Sequence, residues 1–279
     1  MGVCCIVSVS RLKTLFIAAL LLINAFFLTI IIADRYDDAR NERQAIENLC
    51  AILMSNGIAI DPDSIKPAGE LRAMRTARDV ETEAAIANAF LEQVEMTGQG
   101  VIYLYDNAER GMAKFYSACD FEIQLNEGVI ISDDNTLKTV RQLLRDMKIE
   151  ASMLTVSIEP DSEIVTVVNT YRDAGIFNGS IDFIFEGGSL RTVIGRYVTG
   201  VELLGEGTVI SHAGTALLEF LAAVKRGDIE CESILSVEAG YLQSVVGPFG
   251  EGIIAPVWLI TTGAGQYTVD SATGEIRPL

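Results

Sequence analysis

Hydrophobic positions along this chain fall into three regimes. The first is an unbroken run. Thr14 to Ala33 reads TLFIAALLLINAFFLTIIIA and carries no charge. As a helix rising about 1.5 Å per residue, it would span about 30 Å, the thickness of a bilayer's hydrocarbon core. The second regime is helical spacing. Ala45, Ile46, Leu49, Ile52 and Leu53 recur at that spacing until Gly57, so 34–56 is expected to continue as a helix out of the run. Residues 79–96, rich in Ala, Glu and Leu, predict a second helix. Leu137, Val140, Leu143, Leu144 and Met147 share one side of a third, over 133–147. A fourth is expected from a Ser211 cap, with Leu217, Leu218, Leu221 and Val224 inward and Gly227 at its end.

The third regime is alternation with period two. It predicts strands at 101–105 and 114–117, joined as a hairpin around 106–111, then at 121–125, 153–158, 164–171 and 181–186. A strand at 191–199 precedes the fourth helix, and strands at 234–244, 257–261 and 266–270 follow it. The order strand, helix, strands therefore occurs twice, sharing pattern but not sequence. One helix on a curved antiparallel sheet is an economical α+β unit. The expected architecture is α+β: an N-terminal transmembrane helix, then two similar extracytoplasmic subdomains, each a helix on a curved antiparallel sheet. The expected divisions are a cytoplasmic 1–13, an anchor at 14–33, a helical lead-in over 34–97, and subdomains at 98–188 and 189–279.

The apolar run has two readings, a cleaved signal peptide and a retained anchor. A signal core is usually 7–15 residues followed by a small-x-small site. Here Leu15 to Ile32 is interrupted only by Asn24 and Thr29, and bulky Ile31 stands upstream of Ala33. The anchor is the better fit. Cys4 and Cys5 precede the run, which is the wrong order for a lipoprotein, and Ile6 occupies the position where a myristoylation signal wants Ser or Thr. Arg11 and Lys13 lie before the run and Asp34, Arg35, Asp37 and Asp38 after it. That places the N-terminus in the cytoplasm and 34–279 outside. Asn24 is the odd residue. Its amide either bonds across to a neighbouring helix, worth roughly 0.5–2 kcal/mol, or bonds back to its own helix. Phe26 and Phe27 beside it either pack a partner helix or face lipid.

Charge narrows the function classes. The chain has 21 Lys+Arg and 38 Asp+Glu, a net charge of −17. Both basic residues of the first 33 are Arg11 and Lys13, so the outer part is more acidic still. Such a surface repels phosphate backbones, which argues against nucleic acid. Cys50, Cys119 and Cys231 would lie outside, without metal-like spacing, and read as free thiols more readily than as a disulfide framework.

A search for chemistry finds no catalytic, cofactor or metal site. The single histidine, His212, is expected in the first turn of the fourth helix beside Ser211. Neighbours on one helix turn rarely form a nucleophile–base pair. Gly205 to Gly207 and Phe249 to Gly252 lack the lysine and spacing of a phosphate loop and read as hairpin turns. Asp61, Asp63, Asp133 and Asp134 lack the calcium-loop repeat and read as turn and helix-start residues. No carboxylate pair stands out as that of a glycosidase.

The tail is more particular. Ala255-Pro-Val-Trp-Leu-Ile-Thr-Thr262 and Gly265-Gln-Tyr-Thr-Val-Asp-Ser-Ala-Thr-Gly-Glu-Ile276 suit a hairpin bearing Trp258 and Tyr267. The turn over Asp270–Gly274 puts Gly274 where positive φ is expected. This tail resembles the closing hairpin of PepSY-type extracytoplasmic domains. Ser10-Arg-Leu-Lys-Thr-Leu-Phe-Ile17 followed by Leu22-Ile-Asn-Ala-Phe-Phe-Leu28 resembles the anchor of the YycI family, as Asn56-Gly57-Ile58 to Ile65-Lys66-Pro67 resembles the stretch after that family's first outer helix. The family usually has Trp before its Ser-Arg, where this chain has Val9. The resemblance covers the two ends, with the middle matched by pattern alone. It implies a single-span, non-enzymatic regulator of a cell-wall-controlling two-component system. The anchor would contact a sensor histidine kinase, with a YycH-like protein as further partner. Asn24 and Phe26 match the anchor motif, and with Phe27 they become the expected partner-helix contacts. The alternative is a tethered PepSY-like binding or inhibitor domain acting on a protease or wall enzyme.

Overall fold

The computed structural model describes residues 20, 24, 43–97, 101–116, 119–132, 135–198, 201–204, 212–245 and 251–279. The chain divides into two units, 1–56 and 57–279. In the first, 43–55 is helical (α1), in keeping with the expected helix, and ends at Asn56, whose side chain donates to the Ile52 carbonyl at 2.7 Å. Among the described residues, no helix is long and apolar enough to cross a membrane. Apart from Leu20 and Asn24, the 14–33 run lies outside them.

The second unit is α+β, dominated by antiparallel pairing. It opens with β1 (Ala59–Ile60), a 3-10 turn over Pro62–Ser64, β2 (Met74–Thr76) and helix α2 (Val80–Leu91). Next come β3 (Glu95–Met96), β4 (Ile102–Asn107), β5 (Gly111–Tyr116), β6 (Asp120–Leu125) and helix α3 (Thr136–Met147). The strands β7 (Ala151–Ile158), β8 (Ser162–Tyr171), β9 (Ala174–Glu186) and β10 (Ser189–Arg196) form a meander. The remainder is β11 (Glu202–Leu203), helix α4 (Ala213–Arg226), β12 (Ser233–Val245), β13 (Gly252–Thr262), β14 (Gln266–Asp270) and β15 (Ile276–Pro278).

These strands make two hydrogen-bonded sheets that meet at one place. The first has the order β3-β4-β5-β6-β10-β9-β8-β7, antiparallel throughout. The second is built on β13, paired along one edge with β12 and along the other with β2 and β14. The sheets join where β12 and β9 run parallel, in register at Tyr241 and Ile176.

Helices α2 and α3 cover the first sheet. Ile86, Phe90, Phe115, Phe121, Phe183 and Tyr197 are among the side chains of that core. Asp79 caps α2, its carboxylate accepting from the Glu81 amide at 3.0 Å and the Thr82 hydroxyl at 2.6 Å; Asn135 caps α3 through the Lys138 amide at 2.9 Å. The face expected of α3 is the buried one: Val140, Leu143, Leu144 and Met147. In α4, Phe220 meets Tyr267 of β14 edge-on at 5.6 Å, and Trp258 is buried on β13. The tail forms the expected hairpin. Asp270 accepts from the Ala272 and Thr273 amides, and Gly274 takes φ 71°.

Pairing groups the chain differently from its local patterns. Residues 57–97, read as part of a helical lead-in, are shared out: β1 and β2 extend the second sheet, while α2 packs into the first core. The helix expected over 79–96 stops at Leu91 because Glu95 and Met96 pair with β4 instead. The strand beginning at Ser189, assigned to the second subdomain, lies between β6 and β9 of the first sheet. Helix α4 begins at Ala213, with His212 rather than Ser211 at the capping position and no side-chain cap.

Candidate functional site

The place where the sheets meet borders two cavities. Gly240 of β12 makes the approach possible: a Cβ there would lie 2.5 Å from the Gly175 carbonyl oxygen and 2.5 Å from the Phe177 ring. Beyond it, Asn178 closes the joint as a strand would. Its side chain donates to the Gln243 carbonyl at 2.7 Å and accepts from the Gln243 amide at 2.9 Å. Leu71, Met74, Ile176, Tyr241 and Ile254 form a small separate core beneath.

Two cavities share Tyr171 as a wall. The first, about 620 Å³, is lined by Leu71, Arg72, Tyr171, Arg172, Leu203 and Tyr241 among others. That volume lies in the ordinary range of ligand sites, about 300–1,000 Å³. Tyr171 and Tyr241 meet edge-on with centroids 6.3 Å apart. The two-residue turn between β8 and β9 is made by Arg172 (φ 49°) and Asp173 (φ 66°). Both sit in the left-handed region that such hairpin turns normally fill with Asn-Gly, at a cost of about 1–3 kcal/mol each. The turn sets the Arg172 guanidinium 5.5 Å from the Tyr171 ring centroid, and among the described residues no carboxylate pairs with it. Burial pushes the Tyr241 phenol up, partly offset by a hydrogen bond from the Arg72 backbone and the charge of Arg172.

The second cavity, about 530 Å³, lies between the first turn of α2, the end of α3 and the end of β8. Its polar lining includes Asp79, Glu81, Lys148, Glu150 and Asn169. Asn169 is 3% exposed; its amide nitrogen donates to the Arg196 carbonyl, while its Oδ1 has no partner.

Behind this cavity lies a closed ion-pair network. Glu83 on α2 is fully buried and Arg78 is 9% exposed at its side chain. Arg78 grips the carboxylate with Nε at 2.6 Å from Oε1 and Nη2 at 2.9 Å from Oε2. Its remaining donors reach the carbonyls of Val101 and Phe115, both at 3.2 Å, and the guanidinium stacks 4.0 Å from the Tyr103 ring centroid. The Tyr197 hydroxyl donates to Glu83 Oε1 at 2.6 Å. Burial and the bond to Glu83 push the Tyr197 phenol up. Burial opposes the charge of Arg78, but Glu83 outweighs it and the guanidinium's pKa is raised. Burial also pushes the Cys119 thiol up to about 11. Perturbed groups of this kind mark functional sites when they open into a cleft. Glu83 does not open into one, and every oxygen it has is bonded, so the network is a pin holding α2 against the first sheet.

Of the residues singled out in sequence, Asn24 is helical and exposed, and Phe26 and Phe27 lie outside the described residues. So do Ser211, Asp133, Asp134 and both glycine-rich loops apart from Glu251 and Gly252. Asp61 caps the short turn through the Asp63 amide at 3.0 Å. Cys119 and Cys231 are free thiols, and Cys50 is buried. Among the described residues, no cluster of His, Cys, Asp and Glu could hold a metal. The junction residues were not singled out. One signal was present: two β-like runs separated by only Arg172-Asp173. Another was Glu83 on the same helical face as Ile86, Ala87 and Phe90, a charge where apolar side chains belong.

No family model matches the chain, and no curated protein matches it. Among solved structures it is similar to an uncharacterized protein from Eubacterium rectale, at TM-score 0.51 and 11% identity over 80% of this chain and 91% of that one. It is more distantly similar to the C-terminal domain of YpeB from Bacillus megaterium, at TM-score 0.37 and 11% identity over 74% of this chain and 99% of that domain. The first likeness shows a shared fold.

Proposed function

We propose that this chain is a membrane-anchored, non-enzymatic regulator of signalling, with a YycI-like anchor and a PepSY-like closing hairpin. The observation that carries the reading is the uncharged 14–33 segment with its Leu22-x-Asn24-x-Phe26 pattern and basic lead. In this reading the anchor packs better on one state of a sensor histidine kinase's membrane helices and biases it toward that state, together with a YycH-like partner. The outer region, read as two subdomains, holds the sensing surface. The test is in-membrane crosslinking from photoreactive residues at Asn24 and Phe26 in the native host. A kinase or YycH-like chain in the adduct is the expected result. A correctly inserted protein that crosslinks specifically to neither sinks the reading.

A second reading is favoured by the junction cavities: a tethered binding domain whose anchor only places it at the membrane. Replacing 14–33 with an unrelated spanning helix separates the two. The regulator loses its output, and the tethered binder keeps it.

A further inference from the structure

We propose that the second junction cavity is a binding site for a lysine side chain presented by a basic peptide segment. This deepens the reading of the outer region as a binding module and does not depend on the kinase contact. A lysine needs apolar walls for its four methylenes and convergent acceptors for its ammonium. Ile86, Ile149, Tyr171, Val198 and Val201 supply walls of that kind. Three carboxylates, Asp79, Glu81 and Glu150, lie on the lining against one ammonium, Lys148. Asp79 is engaged as the cap of α2, but neither Glu81 nor Glu150 forms an ion pair among the described residues.

The observation that asks for a donor is Asn169. Its Oδ1 is a buried acceptor without a partner, and its orientation is fixed because the amide nitrogen is committed to the Arg196 carbonyl. A buried polar atom left unsatisfied costs about 1–3 kcal/mol, which a bound ammonium would recover. The net charge of −17 adds a long-range pull on a basic segment.

The test uses the full chain in nanodiscs of neutral lipid and a dye-labelled pentapeptide with blocked termini, Ala-Ala-Lys-Ala-Ala, read by fluorescence anisotropy. The control peptide has norleucine in place of lysine, which keeps the methylenes and loses the charge. Expected are saturable binding of the lysine peptide, at least tenfold weaker binding of the norleucine peptide, and at least fivefold loss in the Glu81→Gln/Glu150→Gln double variant. Both glutamates are exposed, so that variant folds. Asn169→Ala is a further variant, accepted only if its unfolding midpoint stays near that of the parent, and it is expected to weaken the lysine peptide selectively. Equal binding of the two peptides, an unchanged affinity in the double variant, or no binding up to millimolar peptide overturns the proposal. The anchor-replacement experiment addresses the tethered-binder reading separately, so the two failures are distinguishable.

Discussion

Glu83→Gln tests whether the buried network holds α2 in place. Glutamine is nearly isosteric, so packing is kept and only charge and one acceptor are lost. With its carbonyl at the Oε1 position it still accepts from Arg78 Nε and the Tyr197 hydroxyl, now 2.6 Å from that atom. Its NH2 then faces Arg78 Nη2, which sits 2.9 Å from Oε2, donor against donor. The guanidinium, 9% exposed, keeps the Val101 and Phe115 carbonyls and the Tyr103 ring but no counter-charge. Breaking one side of a buried pair costs about 3–5 kcal/mol, and the surviving carbonyl bonds put the expectation at the lower end, about 3 kcal/mol. Domains are stable by about 5–15 kcal/mol, so the variant should fold with a clearly lowered urea midpoint. The assay is urea unfolding of the full chain in mild detergent, followed by far-UV circular dichroism and by the fluorescence of Trp258, which sits in the other sheet. Glu275→Gln is the control. Its partner Arg277 is also 2.6 Å away, but the pair is exposed, and the midpoint should not move. A loss below about 1 kcal/mol for Glu83→Gln, or a shift no larger than the control's, would refute the argument that burial gives this pair its weight.

Three further outcomes are expected. Gly240→Ala places a methyl 2.5 Å from the Gly175 carbonyl and the Phe177 ring, and should cost about 2 kcal/mol or more in urea unfolding; a neutral result would show that the sheets can part without penalty. The Cys119 thiol, held at about 11 against an ordinary 9.0, binds its proton more tightly in the folded state, so this contribution is whole below pH 9 and fades as pH rises toward 11, about 3 kcal/mol in all. Stability should therefore fall less between pH 8 and 9.5 in Cys119→Ala than in the parent; an identical fall would count against it. Arg172→Asn with Asp173→Gly relieves two left-handed residues and should raise the melting temperature by an amount corresponding to about 1 kcal/mol or more, whereas a lowered one would show that the turn is not strained.

What could be read in the sequence was local. The face of α3, the Gly227 stop of α4, the β4–β5 hairpin and the closing hairpin with Gly274 all follow from spacing within a few residues. What could not be read was pairing between distant segments. β2 is three residues long and is held between β13 and β11, both distant in sequence. β10 looked like the start of a second unit because it follows a turn, but it pairs with β9 on one side and with β6, far upstream, on the other. The candidate site failed to appear for the same reason. Its members come from before α2, the end of α3, the β8–β9 turn and the middle of β12, and nothing in their spacing draws them together. Only the local anomalies were visible: a charge on the apolar face of α2 and a tight turn without glycine.

The junction is where a small binding energy has the most leverage. Within each sheet, long ladders hold the main strands; β12 and β13 alone stay in register from Ser236 to Val245. Between the sheets, the backbone register is a single pair, Tyr241 with Ile176, reinforced by the two bonds of Asn178 to Gln243. At about 0.5–1.5 kcal/mol net per hydrogen bond, that polar connection is worth only a few kcal/mol. A ligand at one hundred times its dissociation constant stabilises the form it binds by about 2.7 kcal/mol. The two quantities are comparable at this joint. A molecule lodged against Tyr171, whose strand belongs to one sheet and whose ring touches Tyr241 of the other, therefore bears on the arrangement of the sheets as well as on its own pocket. In the regulator reading, the signal enters by shifting that arrangement.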